Sequence, residues 1–111
     1  MSRVLITGAG GYIGRLLGER LARGHTVVGL DVRVPEGLPF ECQQGDIRDP
    51  ALGELLRERA IDVVVHLAAV LEDSGDRARD HDIDVNGTRN VLDACVAAGV
   101  SQLIVTSSGA A

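Results

Sequence analysis

Hydrophobic positions fall into short runs that alternate with stretches of helical spacing along the chain. Apolar runs, and one alternating stretch near residue 40, predict five strands at about residues 3–6, 26–31, 40–44, 61–69 and 103–107. Amphipathic spacing predicts three helices, one over about residues 12–23, one after residue 49 and one ending near residue 98. Strand–helix alternation with right-handed crossovers favours an α/β fold with a doubly wound parallel sheet in the order 3-2-1-4-5.

The predicted helices carry apolar residues at helical spacing, which are expected to face the core. These are Ile13, Leu16, Leu17 and Leu21 in the first helix, Leu52, Leu55 and Leu56 in the second, and Val91, Leu92, Ala94, Cys95 and Ala98 in the third. The second helix is predicted to begin with Asp49 as N-cap and Pro50 at the first helical position. In this topology the first helix covers one face of the sheet, and the other two helices cover the opposite face.

A glycine-rich segment, T-G-A-G-G-Y-I-G at residues 7–14, joins the first strand to the first helix. Between a strand and a helix, such a turn brings backbone N–H groups against a pyrophosphate, and the helix N-terminus adds partial positive charge. Asp31 ends the second strand, where a carboxylate can accept hydrogen bonds from the adenosine ribose hydroxyls. Strand, helix and acidic residue together favour a dinucleotide site over the alternative interpretation, a tight turn without a ligand.

Further candidate residues stand at the carboxyl ends of the other three predicted strands, in segments 45–47, 66–69 and 106–108. The carboxyl ends of parallel strands form the ligand-binding edge of an open α/β sheet. Each segment also has a structural alternative. Asp46 can cap a turn, the serines can end a strand, and His66 on an apolar strand is interpreted as a hydrogen-bonded core histidine rather than a base.

Composition narrows the function classes. The net charge is −5 without a basic run, so no nucleic-acid partner is expected. All eleven basic residues are arginines, which excludes a lysine base or Schiff base within the chain. Cys42 and Cys95 are far apart and indicate two buried thiols in a reducing, cytoplasmic setting and no metal site. No run approaches the ~20 apolar residues of a membrane span, so from these residues we expect neither a membrane span nor a signal peptide before the first strand.

The chain resembles the N-terminal part of an extended short-chain dehydrogenase/reductase of the NAD-dependent epimerase/dehydratase kind, which includes UDP-glucose 4-epimerase-like proteins. Besides the glycine segment and Asp31, the matching motifs are G-D-I-R-D at 45–49, H-L-A-A at 66–69, V-N-G-T-R-N-V-L at 85–92 and T-S-S-G-A-A at 106–111. The resemblance implies one NAD(P)-binding domain over residues 1–111, with a Rossmann-type sheet truncated after strand five and the catalytic helix and substrate domain absent.

The resemblance also implies roles for individual residues. The pyrophosphate would lie against the glycine loop, at Gly8, Gly11, Tyr12, Ile13 and Gly14. The other strand ends would hold the rest of the cofactor: Asp31 the adenosine ribose, Asp46 and Ile47 the adenine, and Leu67, Ala68 and Ala69 the part between ribose and nicotinamide. Ser108 matches the serine that assists proton transfer beside the catalytic tyrosine of the family.

The charge at Asp31 favours NAD over NADP, because a carboxylate repels a 2′-phosphate. Arg33, two residues on, is a cation that could accept such a phosphate. The family commonly has Asn where this chain has Asp84. Its catalytic Tyr-x-x-x-Lys is missing here, since the only tyrosine is Tyr12. We therefore expect these 111 residues to be catalytically inactive by themselves. They lack the tyrosine that acts as base and the lysine whose charge lowers the pKa of that tyrosine.

Three functions remain in view from the sequence. The first is the NAD-binding part of an epimerase, dehydratase or dehydrogenase acting on a nucleotide-linked or related sugar. The second is a non-catalytic NAD(P)-binding regulatory or structural module, and the third is a truncated or designed half-fold. An uncovered fifth strand and sheet face also predict self-association.

Overall fold

The structure, a computed structural model, describes residues 1–67 and 82–106 of the chain. Strands and helices alternate along it in the order β1 (Arg3–Thr7), α1 (Tyr12–Leu21), β2 (Thr26–Asp31), β3 (Glu41–Gln44), α2 (Leu52–Glu58), β4 (Val63–His66), a π-helical segment (Asp82–Gly87), α3 (Thr88–Ala98) and β5 (Gln102–Val105). None of the helices among these residues is long and apolar enough to span a membrane.

All five strands are parallel, and they lie in the order β3-β2-β1-β4-β5. The predicted strand order is therefore confirmed. The order reverses between β1 and β4, where Thr7 is in register with His66 on one side and with Leu30 on the other. In open α/β sheets such a reversal of strand order, at the carboxyl edge of the sheet, is where ligands bind.

The core lies on both faces of the sheet, because alternate residues of a strand point to opposite sides. On one face Leu5, Val28 and Val64 pack with residues of α2 and α3, and on the other Val4, Ile6 and Val27 pack with residues of α1. This distribution confirms the predicted placement of the helices.

Helix α1 packs through its glycines, which corrects part of its predicted apolar stripe. Leu17 and Leu21 pack against the core as expected, but Ile13 is 65% exposed and Leu16 is 50% exposed. Gly14 and Gly18 are the buried residues of this helix. A Cβ at Gly18 would lie 2.6 Å from Cζ of Phe40, so the helix approaches the sheet too closely for a side chain at that position. The prediction failed because it used the spacing of apolar side chains, which gives no information about a helix face formed by glycines.

The predictions for α2 and α3 need smaller corrections. The turn after Asp49 is closed by i→i+3 bonds, so regular α-helix begins at Leu52 rather than at Pro50. Asp49 still caps this turn, because its Oδ1 accepts a 2.9 Å hydrogen bond from the N–H of Ala51. In α3, Val91 is buried as predicted, whereas Leu92 is 51% exposed. The predicted widening of the apolar face to Leu92 is therefore wrong.

The last two strands are shorter or shifted relative to their prediction. Strand β4 ends at His66 instead of residue 69, and β5 covers Gln102–Val105 instead of 103–107. Residues Ala68, Ala69 and Ser108 lie outside the described residues, and so does the side chain of Asp84.

Candidate cofactor site

The glycine loop between β1 and α1 has the geometry of a close approach between backbone segments. Gly8 has a φ of 73°, in the left-handed region that favours glycine. A Cβ on Gly14 would lie against the carbonyl oxygen of Gly8 and 2.8 Å from Cα of Ala9. Glycine at these positions therefore folds the chain back so that the start of α1 lies directly against the end of β1.

The N-terminus of α1 follows this loop and is not capped by a side chain. The N-cap is Gly11, no side chain caps the helix, and its first turn carries no acidic residue. The first N–H groups of a helix have no partner within the helix, and the helix dipole makes this end partially positive. The end of α1 can therefore bind an anion. Tyr12, at its first position, is 81% exposed.

Asp31 at the end of β2 lies against the same loop. Its Oδ2 accepts a 2.9 Å hydrogen bond from the N–H of Gly10. The loop is tied to β2 a second time, because the N–H of Gly8 donates to the carbonyl oxygen of Leu30 at 2.9 Å. Arg33 is exposed two residues further along. The structure thus brings the glycine loop, the carboxylate of Asp31 and Arg33 together, although the loop and these two residues come from different stretches of the sequence.

Asp46 caps the turn after β3, which was one of the two interpretations of this residue from the sequence, and it also pairs with the side chain of Arg48, which the sequence analysis did not predict. The carboxylate of Asp46 accepts bonds from the N–H of Arg48 at 2.9 Å and from its guanidinium at 3.0 Å and 2.7 Å. The same guanidinium donates to Asp82 at 2.7 Å. Hydrogen bonds from Asn86 and then from Arg48 lower the pKa of the Asp82 carboxyl. Arg48 lies two positions after Asp46 in the G-D-I-R-D motif, and this spacing is the feature of the sequence from which their pairing could have been predicted.

Ile47, in contrast, is a core residue through its side chain, which is 5% exposed. It packs beside Gly87, where a Cβ would lie 2.5 Å from Cδ1 of Ile47. Only the backbone of Ile47 therefore remains to contact a ligand at this edge of the sheet.

His66 is a buried, hydrogen-bonded histidine, which confirms the structural interpretation of this residue. Its Nδ1 lies 2.7 Å from Oγ1 of Thr7, and its Nε2 lies 2.9 Å from Oγ1 of Thr88. Thr7 also accepts a 3.0 Å bond from the N–H of Leu67. Both ring nitrogens are engaged, so His66 joins β1, β4 and α3 where the strand order reverses. Burial lowers its pKa, so the ring is neutral at pH 7.

This burial predicts a loss of stability in mild acid. Because the pKa of His66 is lower in the folded chain than its ordinary 6.5, the unfolded state binds the proton more readily. The free energy of unfolding should then fall as the pH drops below about 6.5. Urea unfolding at pH 7.5 and 5.5, with His66→Gln for comparison, measures this. The glutamine variant should show a smaller loss between the two pH values, and an equal loss would contradict the prediction.

Leu67 follows β4 directly and is partly buried against the α1 face of the sheet. It stands beside Thr7, whose Oγ1 accepts a hydrogen bond from the N–H of Leu67, and its contact with the cofactor stays a prediction. Among residues 1–67 and 82–106, no group of three or more His, Cys, Asp or Glu side chains is placed to hold a metal ion.

Comparison with known proteins identifies the family to which this site belongs. The model of the NAD-dependent epimerase/dehydratase family matches residues 4–111. The chain belongs to this family. UDP-glucose 4-epimerase of Mycolicibacterium smegmatis is 39% identical to it over 96% of the chain. A 3 beta-hydroxysteroid dehydrogenase/Delta 5→4-isomerase of Mycobacterium tuberculosis is 38% identical over 97% of the chain.

A solved epimerase structure agrees with the fold. UDP-glucose-4-epimerase from Stenotrophomonas maltophila, with bound NAD and a formylated UDP-arabinopyranose, superposes with a TM-score of 0.83 at 32% identity over 98% of the chain. The chain spans only a fraction of each protein's length, 39% and 32% for the two relatives and 38% for the solved epimerase.

Proposed function

We propose that this chain binds NAD as the cofactor part of an NAD-dependent epimerase, dehydratase or dehydrogenase. The observation that carries the proposal is the assembly of the glycine loop, the uncapped end of α1 and the carboxylate of Asp31 at one point. The pyrophosphate is matched by the partially positive end of the helix. The ribose hydroxyls, as hydrogen-bond donors, are matched by the carboxylate of Asp31, and the adenine by Asp46 and the backbone of Ile47.

The chain's own residues organise the cofactor rather than perform proton transfer. When bound, NAD would supply the hydride acceptor. The site contributes donors for the pyrophosphate and acceptors for the ribose, and the buried Thr7–His66–Thr88 network keeps the ends of β1 and β4 in place. The 111 residues contain no lysine, and their single tyrosine lies in the glycine loop. We therefore propose that residues beyond this set supply the acid–base chemistry.

The charge of Asp31 predicts the cofactor preference and tests the proposal. Like charges placed together cost several kcal/mol, so calorimetric titration should show NAD⁺ bound ~10-fold or more tightly than NADP⁺. Asp31→Asn keeps the shape of the side chain and removes its charge, so it should reduce this preference several-fold.

The matched control for that test is Arg33→Ala, which removes the neighbouring cation and leaves the carboxylate in place. It should weaken NADP⁺ binding more than NAD⁺ binding. Binding of neither dinucleotide to the wild-type chain would contradict the proposed function. A wild-type preference for NADP⁺ would contradict the assigned role of Asp31.

The substrate is proposed only as a class. The UDP-sugar epimerases among the relatives and solved structures support a nucleotide-linked or related sugar. A 3 beta-hydroxysteroid dehydrogenase/isomerase with a similar sequence identity to this chain supports steroids as a second class of substrate. A non-catalytic NAD-binding module stays the second candidate.

Ile104 and Val105 of β5 are 43% and 50% exposed, which supports self-association along this strand as a proposal. Cys95 is buried as predicted, whereas Cys42 is only partly buried, and both are free thiols, which supports the proposed cytoplasmic location.

A further inference from the structure

One side chain of α3 holds the backbone of the turn that follows β3. The Nδ2 of Asn90 donates to the carbonyl oxygen of Ile47 at 2.7 Å and to that of Asp49 at 2.8 Å. A side-chain amide nitrogen carries two hydrogens, so both of its donors serve the same turn. Asn90 therefore fixes the position of this turn relative to the start of α3.

The hydrogen bond to Ile47 extends to the carboxylate of Asp46. The carbonyl of Ile47 and the N–H of Arg48 belong to one peptide unit, which is planar. Asn90 holds the carbonyl end of this unit, and Oδ1 of Asp46 accepts from its N–H end at 2.9 Å. Fixing one end of a rigid unit sets the direction of the other. The orientation of the carboxylate thus depends on Asn90, although the two side chains are 44 positions apart by their numbers.

Two other contacts keep the turn within reach of Asn90. The side chain of Ile47 lies where a Cβ of Gly87 would be, so the start of α3 and the turn are closely packed. The guanidinium of Arg48 donates hydrogen bonds to both carboxylate oxygens of Asp46 and one to the carboxylate of Asp82. Arg48 is about one-third exposed, so its ion pairs contribute little to stability. They nevertheless restrict the rotation of the carboxylate.

We propose that Asn90 is a positioning residue that aims the carboxylate of Asp46 at the 6-amino group of adenine and so sets the base selectivity of the cofactor site. This inference rests on the proposed NAD site. A carboxylate accepts hydrogen bonds and cannot donate them, so it favours an amino group over a carbonyl oxygen at this position. The selectivity requires that the carboxylate be held in one orientation.

The test compares NAD⁺ with nicotinamide hypoxanthine dinucleotide, in which a carbonyl replaces the 6-amino group. The wild-type chain should bind NAD⁺ ~10-fold or more tightly, since a good hydrogen bond is replaced by two opposed acceptors. Asn90→Asp has nearly the same shape but no donor, and Asn90→Ala removes the side chain. Both variants should reduce the ratio of the two dissociation constants severalfold toward unity.

The ratio separates positioning from a merely structural role. A loss of folded protein weakens both apparent affinities by the same factor, so it cancels in the ratio from one preparation. The control is Arg57→Ala, which removes a 3.1 Å bond between α2 and the carbonyl of Ala97, at the other end of α3. This variant should keep the wild-type ratio.

Each outcome has one reading. If the wild-type chain binds neither dinucleotide, the proposed function fails and the inference fails with it. If it binds both equally, or if the Asn90 variants lose both affinities in equal proportion, NAD binding stands and the inference is overturned. A reduced ratio in both Asn90 variants with an unchanged ratio in Arg57→Ala supports it.

Discussion

Replacing Gly14 by alanine should weaken NAD binding by ~10-fold to 100-fold and destabilise the chain by about 1–3 kcal/mol. The added methyl group would meet the carbonyl oxygen of Gly8 and would lie 2.8 Å from Cα of Ala9. Both obstacles are backbone atoms of the loop, so they cannot rotate away as a flexible side chain can. Helix α1 must move away from β1, and its N-terminus then leaves the position proposed for contact with the pyrophosphate.

Gly24→Ala is the matched control for this substitution. Gly24 has no positive φ, and a Cβ built there meets nothing within 4 Å. Calorimetric titration with NAD⁺ and urea unfolding should therefore leave this variant at wild-type values, or slightly more stable through the lower entropy of its unfolded chain. Unchanged NAD affinity in Gly14→Ala would show that the close approach of α1 does not form the pyrophosphate site.

Leu56→Ala should lower the free energy of unfolding by about 2–5 kcal/mol. Leu56 is 1% exposed and belongs to the core cluster beneath α2 and α3. Its removal leaves a cavity that close-packed neighbours fill only in part. Because small domains are stable by only about 5–15 kcal/mol, this single change should produce a large drop in the urea midpoint and in Tm.

The same substitution at Leu92 is the informative comparison. Leu92 is 51% exposed on α3, so Leu92→Ala should change the free energy of unfolding by only about 0.5 kcal/mol. The apolar spacing of the sequence had predicted that Leu92 faces the core. Equal costs at Leu56 and Leu92, measured by urea unfolding, would favour that sequence-based prediction over the structure.

The site residues differ in how far the sequence could place them. The glycine loop and Asp31 were predictable, because a strand–turn–helix with an acidic residue after the next strand is recognisable within a short stretch of chain. Arg48 was visible beside Asp46, but its bond to Asp82 joins positions that differ by 34. Asn90 and Ile47 differ by 43 positions. No local sequence pattern predicts such pairs, because the distance between the two side chains is set only when their segments pack in the folded chain.

By itself the sequence determined the alternation of strands and helices and the strand order, and it predicted the edge of the sheet at which we propose the site. These follow from local periodicity and from the restricted handedness of parallel crossovers. The tertiary structure decided which face of each element is buried. Periodicity shows where apolar residues stand in the sequence, whereas burial depends on the segment that packs against them. In α1 the glycine face is the buried one, and it lies against Phe40 and the carbonyl of Gly8. Packing likewise engaged both ring nitrogens of His66.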